Sequence, residues 1–362
     1  MCGKGRFMKR RWNTDWLFHY GDEPGADFMG WDDSAWERVT LPHDWAVSFP
    51  FDRAHASGTG YLPGGTAWYR KHFTLTEDEA RKDVRILFEG AYKHARIYLN
   101  SHYVGQHAYG YTSFSVDAGP YIREGENVLS VRLEHEDVAD SRWYTGSGLD
   151  RKVWLMLRDV PAFTEGSLFV STLSADEDSA RLRLSYETVP DNGRVCIQIG
   201  KTTVEGPCGR QTLEVDIPKP TLWSPDTPAL YTAKFVYTGK DGRDEEDVTF
   251  GIRTFRFDPD QGFFLNNDPV SMKIRGVCVH HDAGCLGAAV PESVWEARLR
   301  MLKGCGCNAI RTAHNPPDPN LLDLCDRLGF LVMDEAFDEW EGVKNKWWQG
   351  HNVYPPKHHG YA

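Results

Sequence analysis

The sequence predicts a multidomain chain: a jelly-roll-like β-sandwich, then an immunoglobulin-like β-sandwich, then the first part of a (β/α)8 TIM barrel, truncated. Three observations carry that reading. Short runs that alternate apolar and polar residues, broken by Gly, Pro, Asn and Asp, fill residues 1–160. A second set of such runs, closely spaced and separated by turn signals, fills residues 161–252. From residue 253 the pattern changes to strand, helix, strand, helix, strand, which implies a parallel sheet or barrel.

In the first zone "AWYRKHFTL" (67–75), "VRILFEG" (84–90), "ARIYLN" (95–100) and "NVLSVRLE" (127–134) read as strands. "LPHDW" and "GYLPGGTAWYRK" read as loops meeting strands, and many short strands with irregular loops suggest a jelly roll. In the second zone the strands are "ARLRLSYETV" (180–189), "RVCIQIG" (194–200), "QTLEVDI" (211–217), "LYTAKFVYT" (230–238) and "EDVTFGIRTF" (246–255). "IPKPTLWSPDTPAL" is a Pro-rich connection among them. In the third zone "GFFLNNDPVSMKIRG" reads as a hairpin feeding the strand "MKIRGVCV". "PESVWEARLRMLKGCG" predicts a helix with Pro291 at its first position and Trp295, Leu299 and Leu302 on one face. "NAIRTA" is the next strand. "DPNLLDLCDRLG" is the next helix, capped by Asp318, begun by Pro319 and ended by Gly329. "FLVMDEA" is the third strand.

A chain of 362 residues fits two or three domains with sizeable cores. A net charge of −11 argues against nucleic acid or an anionic membrane as the main partner. The one basic run, Lys9-Arg10-Arg11, reads as a solvated N-terminal face. No apolar run approaches the length of a membrane-spanning helix, and the basic N-terminus lacks the apolar segment of a signal peptide. Eight cysteines match no zinc-ligand spacing and are too sparse for a disulfide scaffold, so Cys305 and Cys307 read as structural thiols. The cytoplasm, or another reducing compartment, is the expected location. Thirteen tryptophans suit both sandwich cores and sugar faces.

Three strand ends gather polar residues: "VHHDAG" (279–284), "RTAHNPP" (311–317) and "MDEAFDEWEG" (333–342). In a (β/α)8 barrel, strand C-termini form the face that carries chemistry. Neighbours on a strand point opposite ways, so only one of His280 and His281 is expected to face a site there. Arg311 alternates with Ile310 and would point into the barrel, where a buried guanidinium needs carboxylate partners. The carboxylates Asp334, Glu335, Asp338, Glu339 and Glu341 are too many for a core and read mostly as solvated loop residues. Two chemistries compete on this pattern. A metal-dependent hydrolase would use His280, His281 and His314, but adjacent His-His does not put both rings on one face. A glycosidase would grip sugar hydroxyls with His, Asn, Asp and Trp, and the preceding sandwiches favour it.

Motifs along the whole chain resemble glycoside hydrolase family 2, the β-galactosidase, β-glucuronidase and β-mannosidase group. "LPHDWAV" (41–47), "GYLPGGTAWYRKHF" (60–73), "GYTSF" (110–114) and "DSRWYTGSGLDRKVWL" (140–155) look like its sugar-binding domain. "LWSPDTPALY" (222–231), "FGIRTFRFD" and "GFFLNN" look like its central sandwich and the exit from it. "RGVCVHHDAGCLGAAVP", "LKGCGCNAIRTAHNPPDP" and "DRLGFLVMDEAFDEW" look like the start of its barrel.

The resemblance implies a retaining exo-glycosidase acting on a β-linked oligosaccharide or glycoside, using two carboxyl groups about 5 Å apart through a covalent glycosyl-enzyme. It implies that His280 and His314 contact the sugar and that Arg311 braces the nucleophile. Asp140 matches an Asp that reaches the sugar from the first domain. Asn315 stands where some members have Tyr, and Asp150 stands where an aromatic or His commonly precedes Arg151. β-Galactosidase is the first expectation, β-glucuronidase or β-mannosidase the alternatives, and a non-catalytic carbohydrate-binding protein the alternative of another class. No cofactor is expected, although magnesium remains open for a full-length enzyme, as does a homo-oligomer.

The resemblance also places the acid/base in an Asn-Glu pair at the end of a fourth barrel strand, with the nucleophile Glu further on. No Asn-Glu follows Trp340, and a barrel takes about 250 residues. The expectation is therefore a chain without the catalytic acid/base and nucleophile, inactive alone.

Overall fold

The computed structural model describes residues 7–136, 141–189, 191–240 and 242–338, together with two short paired strands, Lys346–Trp348 and His351–Val353. Three hydrophobic cores follow one another along the chain, one for each zone of the sequence.

The first is a sandwich of two antiparallel sheets. Its strands are β1 (Met8–Arg11), β2 (Trp16–Tyr20), β3 (Glu37–Val39), β4 (Gly65–Leu75), β5 (Asp83–Phe88), β6 (Ala95–Leu99), β7 (His102–His107), β8 (Phe114–Asp117), β9 (Gly125–His135) and β10 (Val153–Arg158). One sheet runs β3-β2-β4-β9-β6-β7 and the other β1-β10-β5-β8. Alternation on β5, with Val84, Ile86 and Phe88 buried, meets Ile97, Val131 and Tyr69 in a single core. The basic run Lys9-Arg10-Arg11 lies in β1, paired with β10; Lys9 and Arg11 are exposed, as a solvated face requires, and Arg10 is half-buried. Arg10 pairs with Glu79, and the Lys9 ammonium sits 4.4 Å from the Trp154 ring centroid.

The second sandwich sets β11 (Phe169–Ala175), β12 (Ser179–Tyr186) and β15 (Gln211–Pro218) against β13 (Arg194–Ile199), β14 (Thr202–Pro207), β16 (Tyr231–Gly239) and β17 (Gly242–Phe250). Its core centres on Leu182, Leu184, Ile197, Phe235 and Tyr237. Arg158, at the end of β10, ties the two sandwiches through Asp244 (3.1 Å) and Glu246 (2.7 Å).

A hairpin, β18 (Phe255–Asp258) with β19 (Gly262–Leu265), leads to the third unit. There β20 (Gly276–Val279), β21 (Ala309–Thr312) and β22 (Leu331–Met333) form a parallel sheet in that order. The helices α2 (Glu292–Gly304) and α3 (Pro319–Leu328), numbered after the single-turn α1 (Glu77–Ala80), cover one face of it through Trp295, Leu299, Leu321 and Leu324. Pro291 is the N-cap of α2 rather than its first residue, one position earlier than the sequence suggests. The α3 signals hold: the Asp318 carboxylate accepts from Asn320 N at 2.9 Å, Pro319 opens the helix and Gly329 closes it in the left-handed region at φ 76°.

The Pro-rich connection of the second sandwich docks these helices. Trp223 Nε1 donates to the Asp326 carbonyl at 2.9 Å, and Lys303 Nζ donates to the Pro225 and Gly329 carbonyls. A Cβ at Gly329 would stand 2.1 Å from Pro225 O, so glycine serves both the helix end and the domain contact. Gly329→Ala is expected to destabilise this junction by about 1–3 kcal/mol, read as a lower thermal midpoint.

Candidate active site

The three parallel strands end side by side, and register fixes what meets there. Cys278, Arg311 and Met333 are in line across β20, β21 and β22, so the residues that follow each of them emerge on the same edge. His280 and His314 meet there edge to face, with ring centroids 5.3 Å apart. The peptide between Ala313 and His314 is cis.

Glu335, just past β22, holds this edge together. It accepts from Arg311 Nε at 2.6 Å through one oxygen and from His314 Nδ1 at 3.0 Å through the other. A carboxylate accepts, so Nδ1 of His314 carries a proton, and in the neutral ring Nε2 is left as an acceptor for a hydroxyl. The Glu335 backbone N–H donates to Thr312 Oγ1 at 3.1 Å, and that hydroxyl donates to Asp334 at 3.1 Å. Arg311 finds the carboxylate the sequence demanded, but it is not buried: its side chain is 41% exposed. Asn315 is 2% exposed, and its Nδ2 has no hydrogen-bond partner among the described residues.

His281 turns the other way, as strand alternation requires. Its Nε2 donates to the Thr145 carbonyl at 2.9 Å, its ring packs on Tyr111, and burial pushes its pKa down to about 4. It therefore belongs to the interface with the first sandwich and not to a cluster with His280 and His314. Among the described residues, no three His, Cys, Asp or Glu side chains gather as a metal-binding group.

The first sandwich supplies the other wall, which sequence reasoning did not single out. Trp143 lies with its ring centroid 5.1 Å from His314 and 6.5 Å from His280, and its Nε1 reaches Tyr111 Oη at 3.3 Å. Arg142 pairs with Asp338 at 3.0 Å, and Tyr109 donates to the Ala336 carbonyl at 3.0 Å. Asp338 and Glu335 are thus engaged groups rather than solvated ones. Asp140 lies outside the described residues, as do Glu339 and Glu341. Trp143 lies within the motif 140–155, but nothing there marks it out from its neighbours; its place at this edge depends on contacts with His280 and His314, far along the chain.

Two buried carboxylates sit behind this wall. Asp44 accepts from Tyr144 Oη (2.6 Å) and from the backbone N–H of Ala46, Ser147 and Ala288, the last belonging to the barrel segment. Asp150 is buried with Oδ1 unpartnered among the described residues, and burial pushes its pKa up from 3.8 to about 7. A carboxyl whose pKa is raised on folding gives stability that is complete below about pH 4 and is lost as pH climbs toward 7. Asp150→Asn is expected to flatten that decline and to raise the thermal midpoint at pH 7.5, measured by calorimetry across pH 4–8.

With this geometry in place, comparison with known proteins is decisive for the family. The model of the glycosyl hydrolases family 2 sugar binding domain matches residues 10–161, that of glycosyl hydrolases family 2 matches 157–253, and that of the family's TIM barrel domain matches 259–356. The chain belongs to glycoside hydrolase family 2. Beta-galactosidase BoGH2A of Bacteroides ovatus is 42% identical over 355 residues, covering 92% of this chain and 41% of that protein. A putative beta-glucuronidase of Formosa agariphila is 32% identical over 367 residues, covering 94% and 35%. Among solved structures, a family 2 member from Bacteroides cellulosilyticus matches with a TM-score of 0.86 at 35% identity, covering 93% of this chain and 47% of that one. A Bacteroides uniformis beta-glucuronidase 2 covalently bound to cyclophellitol-6-carboxylate aziridine matches at 0.78 and 29%, covering 91% and 42%. The chain spans less than half the length of each of these family 2 relatives.

Proposed function

We propose that this chain forms the sugar-holding side of a retaining exo-glycosidase acting on terminal β-linked sugars, with β-galactosides as its substrates. The observation that carries the reading is the cluster of His280, His314 and Trp143 on an edge anchored by Arg311 and Glu335. In it, an aromatic ring and two imidazoles meet at one edge, a combination suited to pyranose faces and hydroxyls. His280 and His314 bind the sugar, Asn315 follows His314 on the segment beside it, and Arg311 stands where it can brace an anionic nucleophile. The two carboxyl groups that break the bond are supplied from outside the residues assigned here.

The relatives carry both galactosidase and glucuronidase names, and one local observation favours the neutral sugar. A glucuronate carboxylate calls for an uncommitted cation, yet Arg311 and Arg142 are both engaged, with Glu335 and Asp338. A reducing compartment such as the cytoplasm is supported by the seven described cysteines, all free thiols.

The test is hydrolysis of nitrophenyl β-galactoside, β-glucuronide and β-mannoside by the natural polypeptide. The β-galactoside is expected to have the highest kcat/KM, by roughly 100-fold or more over the glucuronide. A preference for the glucuronide would overturn the sugar assignment. Failure to cleave any of the three would overturn the glycosidase reading in favour of a sugar-binding protein.

A further inference from the structure

The loop that follows His314 has an unusual shortage of backbone donors. Pro316 and Pro317 have no N–H, so they cannot be tied down as donors, and their carbonyls need a donor from elsewhere. That donor is Arg151, from the first sandwich. Its Nη2 donates to Pro316 O at 2.8 Å and its Nη1 to Pro317 O at 3.0 Å. Nη1 also donates to Tyr111 O at 2.7 Å, which joins the barrel loop to the residue whose hydroxyl receives Trp143 Nε1. Arg151 is 4% exposed, and no carboxylate takes part in these bonds. Its stem fills the space left by Gly90, where a Cβ would stand 2.6 Å from Arg151 Cδ.

We propose that Arg151 is a positioning residue for the sugar site: by holding the Pro316 and Pro317 carbonyls and Tyr111 on one planar fork, it sets His314 and Asn315 against Trp143. A purely architectural clamp would serve domain adhesion alone, and this molecule contains one for comparison. Arg158 joins the two sandwiches through Asp244 and Glu246, far along the chain from the His-Asn-Pro-Pro loop. Arg151 differs because its acceptors are the two residues next to Asn315. Lysine cannot replace it, since a single ammonium on a flexible stem does not reproduce a fixed fork across three carbonyls.

The catalytic half of this inference rests on the glycosidase reading, and the positional half does not. The experiment therefore uses two readouts on the natural polypeptide carrying Arg151→Lys, Gly90→Ala or Arg158→Lys. The first is the His314 imidazole resonance in histidine-labelled protein, which the Trp143 ring current makes sensitive to their spacing. The second is kcat/KM on nitrophenyl glycosides. Arg151→Lys and Gly90→Ala are expected to shift the His314 resonance and to lower kcat/KM by roughly 10- to 100-fold, with the same factor for aglycones of different leaving ability. Arg158→Lys is expected to lower the thermal midpoint and leave both readouts unchanged. An unmoved His314 resonance in Arg151→Lys overturns the inference whatever the activity. A moved resonance with unchanged kcat/KM reduces Arg151 to architecture and overturns its functional half. A moved resonance in a protein that cleaves no glycoside supports the positional half and overturns the proposed function instead.

Discussion

Glu335→Gln is expected to lower kcat/KM of the natural polypeptide on its best β-glycoside by about two orders of magnitude, with little change in thermal midpoint. The carboxylate gives one oxygen to Arg311 and the other to His314. An amide of the same shape has a single acceptor oxygen, so one of the two donors must face an N–H instead. If His314 loses its acceptor, nothing fixes the proton on Nδ1, and Nε2 no longer presents a lone pair to the sugar. If Arg311 loses it, a guanidinium sits unpaired beside the reaction. The pair with exposed Arg311 is screened by solvent, so most of the effect falls on the half-buried His314 bond. A charge-assisted bond there is worth about 1.5–3 kcal/mol, or about 10- to 150-fold in rate. Steady-state kinetics decide it. A loss below about threefold would show that the Arg311–Glu335–His314 arrangement does not serve the site.

The second large effect concerns stability. Asp44→Ala is expected to destabilise the junction of the first sandwich with the barrel segment by about 3–5 kcal/mol. Alanine would orphan the backbone N–H groups of Ala46, Ser147 and Ala288 and the Tyr144 hydroxyl, all gathered on one buried carboxyl. Asp44→Asn keeps an acceptor for part of this set and is expected to lose about half as much. Because several domains need not unfold together, the quantity to compare is the midpoint of the first denaturant transition followed by tryptophan fluorescence. An Asp44→Ala midpoint equal to that of the parent would mean the carboxyl is not the hub of the interface.

Much of the architecture is legible in the sequence because the underlying patterns are local. Period-two burial marks β5, β12 and β13, and the caps of α3 are written in Asp318, Pro319 and Gly329. Edge strands are harder. β7 and β14 end their sheets, expose one side and carry few apolar residues, so nothing in "HYVGQH" or "TTVEGP" demands a strand until a partner is present. β1 is hidden for a different reason: its charges are satisfied by Glu79 and Trp154, which no local window contains.

The site divides in the same way. Strand alternation separates His280 from His281, and it places Arg311 opposite Ile310 before any coordinates are known. The commitment of Glu335 to two partners, the approach of Trp143 and the reach of Arg151 all depend on contacts between separate elements. Those are tertiary facts, and residue type alone does not encode them.

The central claim is that the loops of the first sandwich and the strand ends of the barrel segment together hold one sugar ring. Its most direct test is a crystal structure of the natural polypeptide with galactose bound. The account predicts a pyranose hydroxyl within hydrogen-bond reach of His280 and of His314, with the ring beside Trp143. A galactose seated elsewhere, with His280, His314 and Trp143 left untouched, would contradict it.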